Sequence, residues 1–130
     1  MVQDEEHFST KEHVRIKTIL VVEDDRDIGE VLVQAILQET RYLPVLVGNG
    51  QDALNTVKSI KPHLFILDYK LPRMNGIDLY DLLHQEFTET PTIMMSAHLP
   101  KKDLGTRAIL AMHKPIDLDD LLQAIDELLT

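Results

Sequence analysis

The chain has no cysteine and no tryptophan among its 130 residues. That excludes disulfides, a thiolate nucleophile and thiolate-held zinc, and it fits a reducing compartment. Stability must come from packing, which a chain of this length can supply through a single core. Aromatics are only 5% and the formal charge is -9, with Lys and Arg scattered. Such a surface offers no basic groove or stacking platform for nucleic acid. Direct nucleic-acid binding and membrane partners are therefore not expected. Nowhere do uncharged apolar residues run on for the roughly 18 positions that a membrane span needs, and Met1 opens no basic-then-apolar leader. The expected location is cytoplasmic.

What is there has a clear order. Residues 1–17 are polar, mixed in charge and without period, which predicts a flexible N-terminal extension. From Thr18 to Thr130, short apolar runs alternate with stretches of helical period, as in parallel strands joined by crossover helices. The expected strands are Ile19 to Val22, Leu43 to Val47, Leu64 to Leu67, Thr92 to Met95 and a weaker one near Ile109 to Met112. Most are apolar throughout, as strands buried on both faces are. Ile28, Val31, Leu32, Ala35 and Ile36 follow one helical face, and so do Leu118, Leu121, Leu122, Ile125, Leu128 and Leu129. Asn49, Asn75 and Asp117 offer cap or turn chemistry before the second, third and last helices. Pro44 demotes the second strand to a sheet edge, because proline cannot donate to an interior ladder. The predicted fold is α/β: a flavodoxin-like, doubly wound, five-stranded parallel sheet of order 2-1-3-4-5 with helices on both faces. In that order ligands bind beyond the C-terminal ends of the strands, at the switch point between strands one and three.

Carboxylates collect at that point. Glu23, Asp24 and Asp25 follow the first strand and Asp68 follows the third. Crowded carboxylates raise one another's pKa and destabilise a site unless a cation relieves them. Oxygen ligands without a His or Cys partner select Mg²⁺, with Asp24 and Asp68 the best direct ligands. Asp25 and Asp27 are read instead as helix-capping acids. Asp68 precedes Tyr69-Lys70-Leu71-Pro72 and so sits in a loop, away from the first turn of the next helix. Ser96 ends the fourth strand and Lys114 ends the fifth, at the same rim. Each alone is ordinary turn or surface chemistry. Together with a metal they can hold the charge that a transferring phosphoryl group spreads over its oxygens. His7, His13, His63, His84 and His113 show no metal-ligand spacing.

Four segments, Leu20-Val21-Val22-Glu23-Asp24-Asp25, Ile66 to Gly76 around Asp68, Met95-Ser96-Ala97 and Lys114-Pro115, resemble the receiver domain of two-component response regulators. The likeness covers about Thr18 to Thr130. It implies phosphotransfer onto Asp68 from a sensor histidine kinase or histidine phosphotransfer protein, followed by a conformational switch that controls a downstream protein. The expected activity is that of a signalling phosphoacceptor, not an enzyme, with slow self-phosphorylation from small donors. By the same likeness Glu23, Asp24, Asp68 and the carbonyl of Lys70 hold Mg²⁺, Ser96 and Lys114 sense the phosphoryl group, and the Lys114-Pro115 bond is cis. Lys70 and His98 stand where receivers tune the lifetime of the phosphoryl group.

There are departures from the family pattern. Glu23 replaces the commoner Asp. Ala111 stands where receivers commonly carry a switching aromatic. The interval from Ser96 to Lys114 is short and contains Leu104-Gly105-Thr106, poor helix material, so the fourth helix should be short or irregular. Two other readings stay open. One is a pseudo-receiver that binds partners without phosphate. The other is a phosphohydrolase, which would need a general acid within reach of the leaving group, and Lys70 stands where that acid is wanted. A receiver that ends soon after its fifth helix is expected either to act alone, without an effector domain, or to be a fragment of a longer regulator.

Overall fold

A computed structural model describes residues 16–98 and 101–130. Most of the expected N-terminal extension, residues 1–15, lies outside the described residues. The elements alternate as β1 (Thr18–Val22), α1 (Arg26–Glu39), β2 (Leu43–Val47), α2 (Gly50–Thr56), β3 (Leu64–Asp68), α3 (Gly76–Leu83), β4 (Thr92–Ser96), α4 (Lys101–Leu104), β5 (Ile109–His113) and α5 (Leu118–Leu129). All strand pairs are parallel and the order is β2-β1-β3-β4-β5. Pro44 does lie on an edge strand, and α4 is only four residues long.

The period of two along each strand divides the core. Ile19, Val21, Leu64, Ile66, Ile93 and Met95 face α1 and α5, meeting Leu32, Ile36, Leu121 and Ile125. Leu20, Val22, Phe65, Leu67 and Met94 face the other way, against Ala53 of α2 and Ile77, Leu79, Tyr80 and Leu83 of α3. Because β1, β3 and β4 are covered on both faces, their side chains are buried almost throughout, whereas the edge strands β2 and β5 stay partly open.

The apolar stripe expected on α1 is narrower than its sequence pattern. Leu32, Ala35 and Ile36 are buried, but Ile28 is 37% exposed and Val31 52% exposed, and Gly29 takes the inner place. There the Leu46 side chain of β2 lies 2.9 Å from where a Gly29 Cβ would stand, so a larger residue would have to displace its methyl groups. On α5 likewise Ala124 is buried and Leu128 is 37% exposed.

Side-chain caps set where the helices start. Asp25 accepts from the N–H groups of Asp27 and Ile28, Asn49 from Asp52, and Asp117 from Asp120. Asn75 and Asp78 form a reciprocal capping box. Each satisfies backbone donors that the first turn leaves unpaired. No helix among the described residues is long and apolar enough to cross a membrane.

Candidate functional site

Parallel strands end at one edge, so whatever follows them meets there. Val22 pairs with Leu67, which sets Glu23 beside Asp68. Asp68 pairs with Met95, and Ser96 with His113, which sets Lys114 next in line. The backbone locks this register onward: Glu23 N–H donates to Val47 O at 3.0 Å, Tyr69 N–H to Met95 O at 2.8 Å and Lys114 N–H to Ser96 O at 2.8 Å. The Lys114-Pro115 bond is cis.

One oxygen from each of Glu23, Asp24 and Asp68 lies within 4.8 Å of the others. Glu23 and Asp68 are buried and Asp24 is exposed, so the cluster opens to solvent on the Asp24 side. No other group of three His, Asp or Glu side chains among the described residues is placed to share an ion. This all-oxygen donor set suits a hard cation of the Mg²⁺ type. The Lys114 ammonium donates to Glu23 Oε1 at 2.9 Å and to Asp68 Oδ2 at 3.0 Å. Asp68 Oδ1 accepts from Lys70 N–H at 3.2 Å, and Glu23 Oε2 from Asp25 N–H at 3.1 Å.

Burial pushes the Glu23 carboxyl up to about 7, with its hydrogen bond to Asp68 adding to the rise and those from Lys114 and the Asp25 N–H opposing it. For Lys114, burial works against the charge, but the hydrogen bonds to Glu23 and Asp68 outweigh it and hold the ammonium above its ordinary value. The site is thus short of positive charge, and its one ammonium is held fast by two acids.

The remaining predicted residues stand at varying distances from this cluster. Ser96 is buried at the end of β4, and its Oγ accepts from His98 N–H at 3.0 Å. The Lys70 and His98 side chains are exposed at the rim. Ala111 is exposed on the edge strand β5, so no ring is there to move inward. Gly76 is required by a close approach: a Cβ there would lie 2.6 Å from the carbonyl oxygen of Asp68 and 2.5 Å from Met94 Sδ. One further contact has no counterpart among the sequence motifs. The Tyr69 hydroxyl donates to Asp103 Oδ2 at 2.8 Å, tying the residue after Asp68 to α4 across 34 positions.

An open parallel sheet with acids gathered over its switch point defines a doubly wound α/β domain, a class in which ligands bind beyond the strand ends. Residues 19–126 match the family described as the response regulator receiver domain, and the chain belongs to that family. It is 35% identical to the DNA-binding response regulator MtrA of Mycobacterium tuberculosis over 86 residues, covering 66% of this chain and 37% of MtrA. It is 33% identical to the putative two-component response regulator ARR21 of Arabidopsis thaliana over 107 residues, 79% of this chain and 17% of that protein. The chain therefore spans well under half the length of these relatives.

Solved structures agree. A CheY-like receiver domain protein from Methanospirillum hungatei superposes with a TM-score of 0.78 at 27% identity, covering 88% of this chain and 94% of that one. The response regulator TrrA from Thermotoga maritima, in complex with Mg(2+)-BeF, gives 0.79 at 28% identity, covering 88% and 100%.

Proposed function

We propose that this receiver takes a phosphoryl group from a phosphohistidine onto Asp68 and, in the phosphorylated form, controls a partner protein. The observation that carries this reading is the cluster itself: a buried aspartate within 4.8 Å of two further carboxylates and 3.0 Å from an ammonium. A carboxylate so surrounded is presented as a nucleophile with cations on hand for the charge that develops. The Mg(2+)-BeF held by TrrA, a phosphoryl-like group beside a hard cation, supports the same use here.

In the step proposed, an Asp68 oxygen attacks phosphorus while the P–N bond to the donor imidazole breaks, its electron pair leaving with the nitrogen. Lys114, which donates to Asp68, would follow the charge from the Asp68 oxygen to the phosphoryl oxygens, and the Ser96 hydroxyl would donate to one of them. Glu23, Asp24, Asp68 and the Lys70 carbonyl would hold Mg²⁺, which when bound neutralises the phosphoryl oxygens. The Asp25 N–H, which donates to Glu23 Oε2, would help hold that carboxylate in place for the ion. Lys70 and His98, exposed beside Asp68, would set how readily water reaches the acyl phosphate and so its lifetime. The protein is then a phosphoacceptor that turns over slowly, not an enzyme acting on many substrates. Its partners are a histidine kinase or phosphotransfer protein and a downstream protein, met in the cytoplasm without direct nucleic-acid contact.

The exposed Ala111 and the four-residue α4 favour one second reading, a pseudo-receiver that binds a partner without phosphate. Beryllofluoride titrated with Mg²⁺ separates the two. Saturable binding that disappears in Asp68→Asn and on chelation supports phosphorylation. Absence of binding to the unaltered protein supports the pseudo-receiver.

A further inference from the structure

Asp68 is 4% exposed, so a phosphohistidine reaches it only through the mouth of the site. The donor's surface around that histidine must then lie against the lips of the mouth. In the sheet, β1 flanks β3 on one side and β4 on the other. The segment after β1 brings Asp24, Asp25 and Asp27 to one lip, all of them exposed, and Arg26 among them is paired with Glu30. The segment after β3 and the helix after β4 bring Lys70, Arg73, Lys101 and Lys102 to the other lip, again all exposed. These four are scattered in the sequence. The fold gathers them, because the bond from the Tyr69 hydroxyl to Asp103 joins the residue before Lys70 to the residue after Lys102.

None of the four forms an ion pair with another described residue, whereas Arg26, Arg107 and Lys114 do. The neighbouring acids are engaged elsewhere: Asp103 with Tyr69, and Asp78 with the Asn75 backbone in the capping box. In a chain of formal charge -9, this lip is a local field of the opposite sign. Arg73 adds a second observation. Its φ is 69°, a left-handed conformation that costs a residue with a Cβ and that Gly or Asn takes readily. The loop around it is fixed, with Met74 N–H donating to Pro72 O at 2.8 Å and Gly76 N–H to Tyr69 O at 2.7 Å. Met74 Sδ also lies 2.6 Å from where a Gly50 Cβ would stand on α2. Local folding thus favours Asn at position 73, and what Arg supplies there is an exposed guanidinium.

The geometry points to a charge-matched docking surface: the lip of Lys70, Arg73, Lys101 and Lys102 receives an acidic patch beside the phosphohistidine of the donor protein. This deepens the reading of Asp68 as phosphoacceptor and rests on it. The opposite lip fixes which way round the donor sits, because a donor rotated by half a turn sets its acids against Asp24, Asp25 and Asp27. A nucleic acid, anionic along its whole length, meets that repulsion in every orientation. An acidic patch on a folded donor meets it in only one.

Three synthetic peptides test this, each an N-acetylated phosphohistidine followed by a short run of Glu, Ser or Lys. Transfer to the full chain in the presence of Mg²⁺ is followed by intact mass. At low ionic strength the Glu peptide should transfer about tenfold faster than the Ser peptide, the low end of electrostatic steering, and the Lys peptide more slowly than either. At about 1 M salt, where charges are screened within about 3 Å, the three rates should converge. Lys101→Glu/Lys102→Glu should abolish the preference for Glu. Lys58→Glu/Lys61→Glu changes the net charge equally at exposed positions before β3, at the other end of the sheet, and should leave the preference in place. Arg73→Asn should lower the preference about threefold while raising the melting temperature, a combination that a purely structural arginine would not give.

The docking lip is overturned if the Glu peptide transfers no faster than the Ser peptide at low salt, or if Lys58→Glu/Lys61→Glu removes the preference as fully as Lys101→Glu/Lys102→Glu. It is overturned too if the Glu peptide transfers nothing to a chain that phosphoramidate does label. In each of these cases a phosphoramidate label on Asp68 leaves the phosphoacceptor reading standing. No label on Asp68 from phosphoramidate or from any peptide would overturn that reading and the lip with it.

Discussion

The Lys114 ammonium lies 3.0 Å from the Asp68 carboxylate, joining residues 46 positions apart in the chain, and donates at the same time to Glu23. Two buried acids thus share one cation. Replacing Lys114 by Ala should destabilise the metal-free protein at pH 8 by about 2 kcal/mol, because two buried carboxylates lose their counter-charge. The loss should shrink at pH 6, where Glu23 carries a proton, and on adding Mg²⁺. Urea titrations at the two pH values check this; an equal loss at both would show that Lys114 acts through packing alone.

Glu23 gives the stability a direction in pH. Its carboxyl is raised by burial to about 7 from 4.5, so between those values the folded state binds the proton more tightly than the unfolded state. The contribution is fully present below pH 4.5 and is lost as pH rises through about 7. The metal-free protein should therefore lose roughly 2–3 kcal/mol from this group across that range. Mg²⁺ should bind more tightly over the same interval, since proton and metal compete for Glu23. Comparing melting curves of the unaltered protein and Glu23→Gln from pH 5 to 8 isolates the effect, because the other acids are common to both. Parallel curves would remove Glu23 as the cause.

Gly76 supports the site from behind. A methyl group there meets the backbone of Asp68 and the sulfur of Met94, and the backbone has no room to yield. Gly76→Ala should cost about 2–3 kcal/mol and should displace Asp68 enough to slow its phosphorylation. Chemical denaturation together with the phosphorylation rate reads both effects. A fully active and stable Gly76→Ala would mean that the loop after Asp68 has slack that the structure does not show.

Chelation should leave the fold intact. The core on both faces of the sheet is formed by apolar side chains without help from the acids. Removing Mg²⁺ should abolish phosphorylation of Asp68 while the far-UV spectrum stays the same. Unfolding on chelation would make the metal structural.

Much of this was legible in the residues. Strand ends set the position of Glu23, Asp24, Asp68, Ser96 and Lys114, and Pro44 alone fixed β2 at an edge, because both follow from local backbone rules. Side-chain facing was less legible: Ile28 and Val31 fit the helical period of α1 yet stay exposed, while Gly29, close to Leu46 of another element, turns inward. The bonds from Tyr69 to Asp103 and from Arg107 to Asp81 were not legible at all. They join residues 34 and 26 positions apart, and neither spacing nor residue type distinguishes these side chains from ordinary surface groups.

The most direct measurement is the intact mass of the unaltered protein and of Asp68→Asn after incubation with acetyl phosphate and Mg²⁺. The unaltered chain should gain the mass of one phosphoryl group, labile to hydroxylamine, and Asp68→Asn should gain none. An adduct of equal yield on both, or rapid multiple turnover of phosphomonoesters, would contradict Asp68 as the phosphoacceptor of a signalling receiver.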